Sequence, residues 1–166
     1  GIGKSVLLKC ISGILKPDAG TISLCNSTES IPQFAYMFQQ NALFDSLNVF
    51  ENIALPLREK EKVTTQNLSK QVNRLIDELG LQNAATKYPS EISGGMKKRA
   101  ALGRALISKP EIILFDEPTT GLDPERKFSV FDMIRSYRKQ FGFTVIMVSH
   151  DVPEVFGITD QVAWLD

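Results

Sequence analysis

No apolar run in this sequence approaches the roughly 18–20 residues that span a bilayer. The longest, such as Ile112 to Phe115 and Val145 to Val148, are strand-sized. Work at a membrane would therefore need other chains to supply the membrane part. Excess charge of either sign is also missing: Lys plus Arg and Asp plus Glu number 19 each. An electrostatic nucleic-acid binder normally carries a basic surplus, so no nucleic-acid partner is expected. Cysteine is scarce. Cys10 and Cys25, the only two, cannot make a disulfide framework, and no metal-ligand spacing surrounds them. Both are expected to be reduced core thiols, which fits the cytoplasm. No signal-peptide pattern, internal repeat or low-complexity segment is visible. What remains is a chain of 166 residues, 43% hydrophobic and 23% charged. That is the profile of one globular domain, able to bury about two-thirds of its unfolded surface.

Helix and strand signals alternate, which points to an α/β fold. Apolar residues at helical spacing predict a helix over Lys4 to Leu15, followed by a turn at Lys16 to Gly20. Thr21 to Cys25 and Gln33 to Phe38 read as short strands, with a polar loop at Asn26 to Pro32 between them. Val49 to Glu59 and Thr65 to Leu79 are expected helices, with Gly80 as a C-cap. The charged run Arg58 to Lys62 reads as a solvated turn. A further helix is expected to start directly after Ser93-Gly94-Gly95 and run to about Ser108. The last third alternates most regularly: strand Ile112 to Asp116, helix Pro124 to Gln140, strand Thr144 to Ser149, short helix Val152 to Phe156, strand Gln161 to Leu165. These make two β-α-β steps, which normally build a parallel sheet. The expected layout is one domain. Its sheet core is formed by residues 1–38 and 109–166, with a helical subdomain at about 39–108 inserted into it.

The candidate chemistry begins at the first residue. Gly1-Ile2-Gly3-Lys4-Ser5 is the back half of the phosphate-binding pattern G-x-x-x-x-G-K-[ST]. Glycines let backbone N–H groups curl around a phosphate, and the helix that follows points its positive end at the anion. Lys4 would neutralise β- and γ-phosphates, and the Ser5 hydroxyl would ligate Mg²⁺. Alone, so short a pattern also fits a glycine turn before an ordinary amphipathic helix. Farther on, Ile112 to Phe115 deliver Asp116 and Glu117 to the C-terminal edge of a strand, where ligands of open α/β sheets sit. Asp116 would hold the Mg²⁺ shell, and Glu117 would orient and polarise an attacking water. Ser93-Gly94-Gly95-Met96 is a second helix start suited to an anion, although a lone S-G-G is as well explained by a turn and a cap. Asp123 follows Gly121-Leu122. His150, the only histidine, closes a neighbouring strand and can sense a γ-phosphate. Gln39 can offer its carbonyl to Mg²⁺ and its amide to water.

Six such elements in order make the chain resemble the ATP-binding-cassette (ABC) ATPase family along essentially all its length. The matching pieces are GIGKS at Gly1 to Ser5, a Q-loop at Phe38-Gln39, a signature at Ser93 to Met96 and a Walker B run at Ile112 to Pro118. A D-loop at Gly121 to Asp123 and an H-loop at Ser149 to Asp151 complete them. The resemblance implies a P-loop NTPase core with a mainly parallel sheet and an inserted helical subdomain. It implies an ATPase with ATP and Mg²⁺ in its site. It also implies a head-to-tail homodimer, each site pairing the P-loop, Walker B and His150 of one subunit with the signature of the other.

Three departures from the family pattern stand out. The front of the P-loop is absent, so the residue that stacks on adenine is expected upstream of Gly1 and the chain is expected to be a fragment at both ends. Val6 stands where the family usually has Thr or Ser, which removes one hydroxyl contact to a phosphate. Met96 replaces the usual glutamine. Met96 and the following KKRAALGRAL, with FQQNALF from Phe38, NVFENIALPL from Asn48 and SHDVPEVF from Ser149, are similar to the branch that serves Mla-type phospholipid transport. That branch implies an integral permease and an MCE-domain lipid-binding protein as partners, with the ATPase peripheral on the cytoplasmic face of the bacterial inner membrane. Phe44, Leu47 and Phe50 are candidates for gripping the permease, or are simply core. Competing readings are an ABC ATPase for another transported substrate, a soluble non-transport ABC protein, and a silent cassette. Glu117 and His150 argue against the last.

Overall fold

The computed structural model describes residues 3–23, 32–38, 42–59 and 64–164. In chain order its main elements are α1 (Lys4–Ile11), β1 (Phe34–Met37), α2 (Val49–Arg58), α3 (Thr65–Glu78), α4 (Gly94–Leu106), β2 (Ile112–Asp116), α5 (Pro124–Phe141) and β3 (Thr144–Val148). They form two compact units, residues 1–39 with 111–166 and residues 40–110. Among the described residues no helix is long and apolar enough to cross a membrane.

The first unit is built on a parallel sheet in the order β1-β2-β3. β2 lies in the middle, with Phe34 to Met37 of β1 paired to Ile112 to Phe115, and Thr144 to Val148 of β3 paired to Ile112 to Asp116. A parallel strand covered on both faces needs a continuous apolar run. Ile113, Leu114 and Phe115 supply it and are almost wholly buried. Leu8 of α1 packs on Leu114 and Val148, with Phe34, Tyr36, Ile112 and Ile146 around them. α5 starts where the Asp123 side chain accepts the Arg126 N–H at 2.9 Å, with Pro124 following, and stops at Gly142, whose φ is 75°.

α1 ends at Ile11, not Leu15, because Gly13 turns the chain at φ 77° and the Leu15 N–H returns to Lys9 O at 3.0 Å. Thr21 to Ser23 form no strand, and residues 24–31, with Cys25 and most of the expected loop, lie outside the described residues. The expected short helix is a 3₁₀ segment at Glu154–Ile158. Gln161 to Trp164 are irregular, and Leu165 lies outside the described residues. Of the two β-α-β steps, β2-α5-β3 is therefore the one present among the described residues. Cys10 is a free thiol, half-buried rather than core.

The second unit packs α2, α3 and α4 through Ile53, Leu57, Val72, Leu75, Leu79 and Leu102. Gly103 allows the close approach: a Cβ there would meet Leu79 Cδ1 at 2.7 Å and Ile53 Cδ1 at 3.0 Å. α2 opens with a capping box between Asn48 and Glu51. Its first two N–H groups reach Lys87 O at 3.0 Å and Ala85 O at 2.9 Å, so its unpaired end is satisfied. Asn52 is wholly buried. Its side chain accepts the Phe44 N–H at 2.8 Å and donates to Phe44 O, Leu47 O and Asn48 O at 3.0, 2.8 and 3.1 Å.

Candidate active site

Parallel strands deliver their C-terminal residues to one edge, and there the first unit gathers its polar groups. Asp116 ends β2. Its Oδ1 accepts the Ser5 hydroxyl at 2.7 Å and its Oδ2 accepts the Tyr36 hydroxyl at 2.8 Å. Burial, then the hydrogen bond to Asp116 and its charge, holds the Tyr36 phenol well above its ordinary pKa. Tyr36 therefore stays protonated and donating. A hydroxyl and a carboxylate this close form an oxygen-only donor pair. That suits Mg²⁺, which takes one or two protein oxygens and fills its octahedron with phosphate and water.

Glu117 follows in a left-handed backbone conformation, φ 49°. For a residue with a side chain this costs roughly 1–2 kcal/mol. Its N–H is tied to Val148 O at 3.0 Å. Its Oε2 accepts the Thr120 hydroxyl at 2.8 Å and lies 2.9 Å from His150 Nδ1. His150 follows β3 by two residues, so the register of two adjacent strands brings the Glu117 carboxylate and the histidine together.

Asp151, buried beside His150, accepts hydrogen bonds from Thr119 and Lys127. Burial alone would raise its carboxyl, but those two donors and the Lys127 charge outweigh it and hold it below the usual carboxylate range.

Gly3 precedes α1 with φ 80°, a conformation glycine adopts freely. Lys4 opens α1, and Val6 is exposed on it. Gly1, Ile2 and Gln39 lie outside the described residues. The Asp123 carboxylate is engaged at the start of α5, with Arg126 Nε 3.2 Å away. Ser93 to Met96 belong to the second unit. There Ser93 is the N-cap and accepts the Met96 N–H at 3.3 Å. The helix begins at Gly94, so the glycines are its first turn, not a preceding loop. A Cβ at either would meet nothing within 4 Å, so no neighbouring group crowds that turn. Phe44 is exposed, while Leu47 and Phe50 are half-buried. The Arg104 guanidinium lies over the Phe44 ring at 5.7 Å and donates to Ala42 O at 2.7 Å.

The sequence motifs assign no role to Tyr36, Thr119, Thr120 and Lys127, and name Asp151 only as the end of the H-loop. One signal was available for Tyr36: a phenol on an apolar, half-buried strand needs a partner.

The family model for ABC transporters matches residues 1–120. The chain belongs to the ABC transporter family. This ABC chain is 41% identical to the intermembrane phospholipid transport system ATP-binding protein MlaF of Escherichia coli (strain K12), over 99% of the chain and 65% of that protein. It is 37% identical to the spermidine/putrescine import ATP-binding protein PotA of Fusobacterium nucleatum, over 98% of the chain and 44% of that protein. The chain thus spans less than two-thirds of the length of either. Among solved structures it resembles the dimeric post-hydrolysis state of the ATP-binding cassette MJ0796 bound to ADP and Pi. The TM-score is 0.72 with 28% identity, over 93% of this chain and 72% of that one.

Proposed function

We propose that this ABC chain is the ATP-binding and hydrolysing subunit of a transporter that moves phospholipid. The reading is carried by the paired contacts at the sheet edge, Ser5 with Asp116 and Glu117 with His150, in a chain of this family. In it, the amides of Gly1 to Gly3 and the α1 N-terminus cradle the phosphates, and Lys4 neutralises their charge. Ser5, Asp116 and Gln39 would hold Mg²⁺, which when bound draws negative charge from the phosphate oxygens. Glu117 orients a water and takes its proton as the water oxygen bonds to the γ-phosphorus. The bond from that phosphorus to the bridging oxygen breaks, giving ADP and inorganic phosphate. His150 steadies Glu117 through Nδ1 and keeps Nε2 for the γ-phosphate.

A second copy of the chain completes the site with its own Ser93, Gly94, Gly95 and Met96, while Asp123 lies at the join. The dimeric, ADP-bound state of the MJ0796 cassette supports a homodimer. ATP then holds two subunits together and hydrolysis releases them, a two-state element that a permease can follow. The 41% identity to MlaF supports phospholipid as cargo. The partners are an integral permease and an MCE-domain lipid-binding protein, at the cytoplasmic face of the inner membrane.

The test is to purify the full-length Glu117→Gln protein from membranes in mild detergent and identify what comes with it by mass spectrometry. A permease, an MCE-domain protein and bound phospholipid are expected. A permease of another kind would keep the ATPase and replace the cargo, in line with the likeness to PotA. No membrane partner would remove the transport reading.

A further inference from the structure

Thr119, Lys127 and Asp151 have no place in the phosphate chemistry above, yet they hold the most enclosed polar cluster of the first unit. Thr119 is 1% exposed and Asp151 5%. Oδ2 of Asp151 accepts the Thr119 hydroxyl, Oδ1 accepts the Lys127 ammonium, and the Asp151 N–H donates to Ser149 Oγ at 3.0 Å. A buried carboxylate is costly unless it is paired and hydrogen-bonded, and this one is both. Its three partners come from three segments: the turn after β2, the first turn of α5, and the end of β3.

Two of those segments carry Glu117 and His150. Thr119 stands two residues beyond Glu117, and Asp151 directly follows His150. The contact between Glu117 and His150 is exposed on the histidine side, with the His150 side chain 56% accessible and that of Glu117 23%. Exposed pairs of this kind hold themselves weakly. The backbone bond from Glu117 N–H to Val148 O fixes where the two turns leave the sheet. The tie from Thr119 to Asp151 fixes them beyond that point.

We propose that Asp151 is a positioning residue, whose buried carboxylate, clamped by Thr119 and Lys127, sets the contact between Glu117 and His150. Its effect on turnover rests on the hydrolytic reading above, but its effect on the geometry does not. The experiment therefore reads both. In the full-length protein labelled at histidine, the His150 ring signal is assigned by its loss in His150→Gln. Thr119→Val and Lys127→Met remove one clamp each. Both should displace or broaden the His150 signal. Both should lower kcat for ATP about tenfold, with KM within about twofold, the pattern of a misplaced catalytic group. Thr119→Ser and Lys127→Arg, which keep the hydroxyl and the charge, should restore signal and kcat together. Should Lys127→Met fail to fold, the double variant Lys127→Met/Asp151→Asn removes the charge pair as a unit, and a displaced His150 signal is expected there too. An unmoved His150 signal in Thr119→Val and in the folded Lys127 variant would overturn the proposal and leave Asp151 a purely structural residue. If the parental protein does not hydrolyse ATP, the hydrolytic reading fails while the ring signal still decides the positioning role.

Discussion

The two units use their polar side chains in opposite ways. In the helical unit, the surface pair of Arg74 with Glu78 aside, they are spent on the backbone. Asn52 binds three peptide carbonyls and an N–H between Phe44 and Asn48, Arg99 reaches Leu79 O at 3.0 Å, and Arg104 holds Ala42 O. Such bonds fix the path of the chain. In the sheet unit the polar groups at the strand ends are spent on one another: Ser5 and Tyr36 on Asp116, Thr120 and His150 on Glu117, Thr119 and Lys127 on Asp151. Bonds between side chains hold groups in place yet can be exchanged for a ligand without moving the backbone. The difference separates a unit built to keep a shape from one built to change partners.

The sharpest way to test that division is to remove chemistry without removing structure. Glu117→Gln should slow ATP hydrolysis about 10²–10⁴-fold, trap ATP and leave the melting temperature nearly unchanged. A parental rate would remove Glu117 from its role. The converse variant is Asn52→Ala, which strips a donor or acceptor from four half-buried peptide groups. It should cost about 3 kcal/mol of stability in urea unfolding. A loss below about 0.5 kcal/mol would mean that water replaces the side chain freely. Gly103→Ala pushes a methyl into Leu79 and Ile53 and should cost about 1–3 kcal/mol by the same measurement. Tyr36→Phe, which removes one donor from Asp116 and keeps the ring, should cost about 1 kcal/mol. Smallest is a dependence on acid. The Asp151 carboxyl is held below its ordinary value of 3.8. Its contribution is therefore complete above that pH and lost as pH falls through the depressed range. Acid unfolding of the parent and of Lys127→Met/Asp151→Asn should converge there. Curves that stay parallel would remove the linkage.

Much of this was legible in the sequence, and the pattern of what was not is physical. β2 was readable because an apolar run ending in two acids has few other solutions. α5 was readable because Asp123-Pro124 starts a helix and Gly142 stops one. α1 was overextended because its apolar spacing runs on past Gly13, where the backbone turns. Thr21 to Ser23 and Gln161 to Trp164, the described parts of two expected strands, are irregular. Alternation says which face a strand would bury but not that a neighbour pairs with it. In the site, motif and strand-end position single out Ser5, Asp116, Glu117 and His150. Thr119 and Lys127 became visible only through packing, and the partner of Tyr36, 80 residues away, only through strand register.

The central place of β2 also has a meaning in time. A strand bonded on both sides opens only when the sheet does, so its amides should be among the slowest in the chain to exchange with solvent. The two acids are mounted at the end of that slow segment, while Thr120 and His150, which answer Glu117, sit on the turns beyond it. Over many cycles of ligand binding and release, the carboxylates would keep their station while their partners come and go.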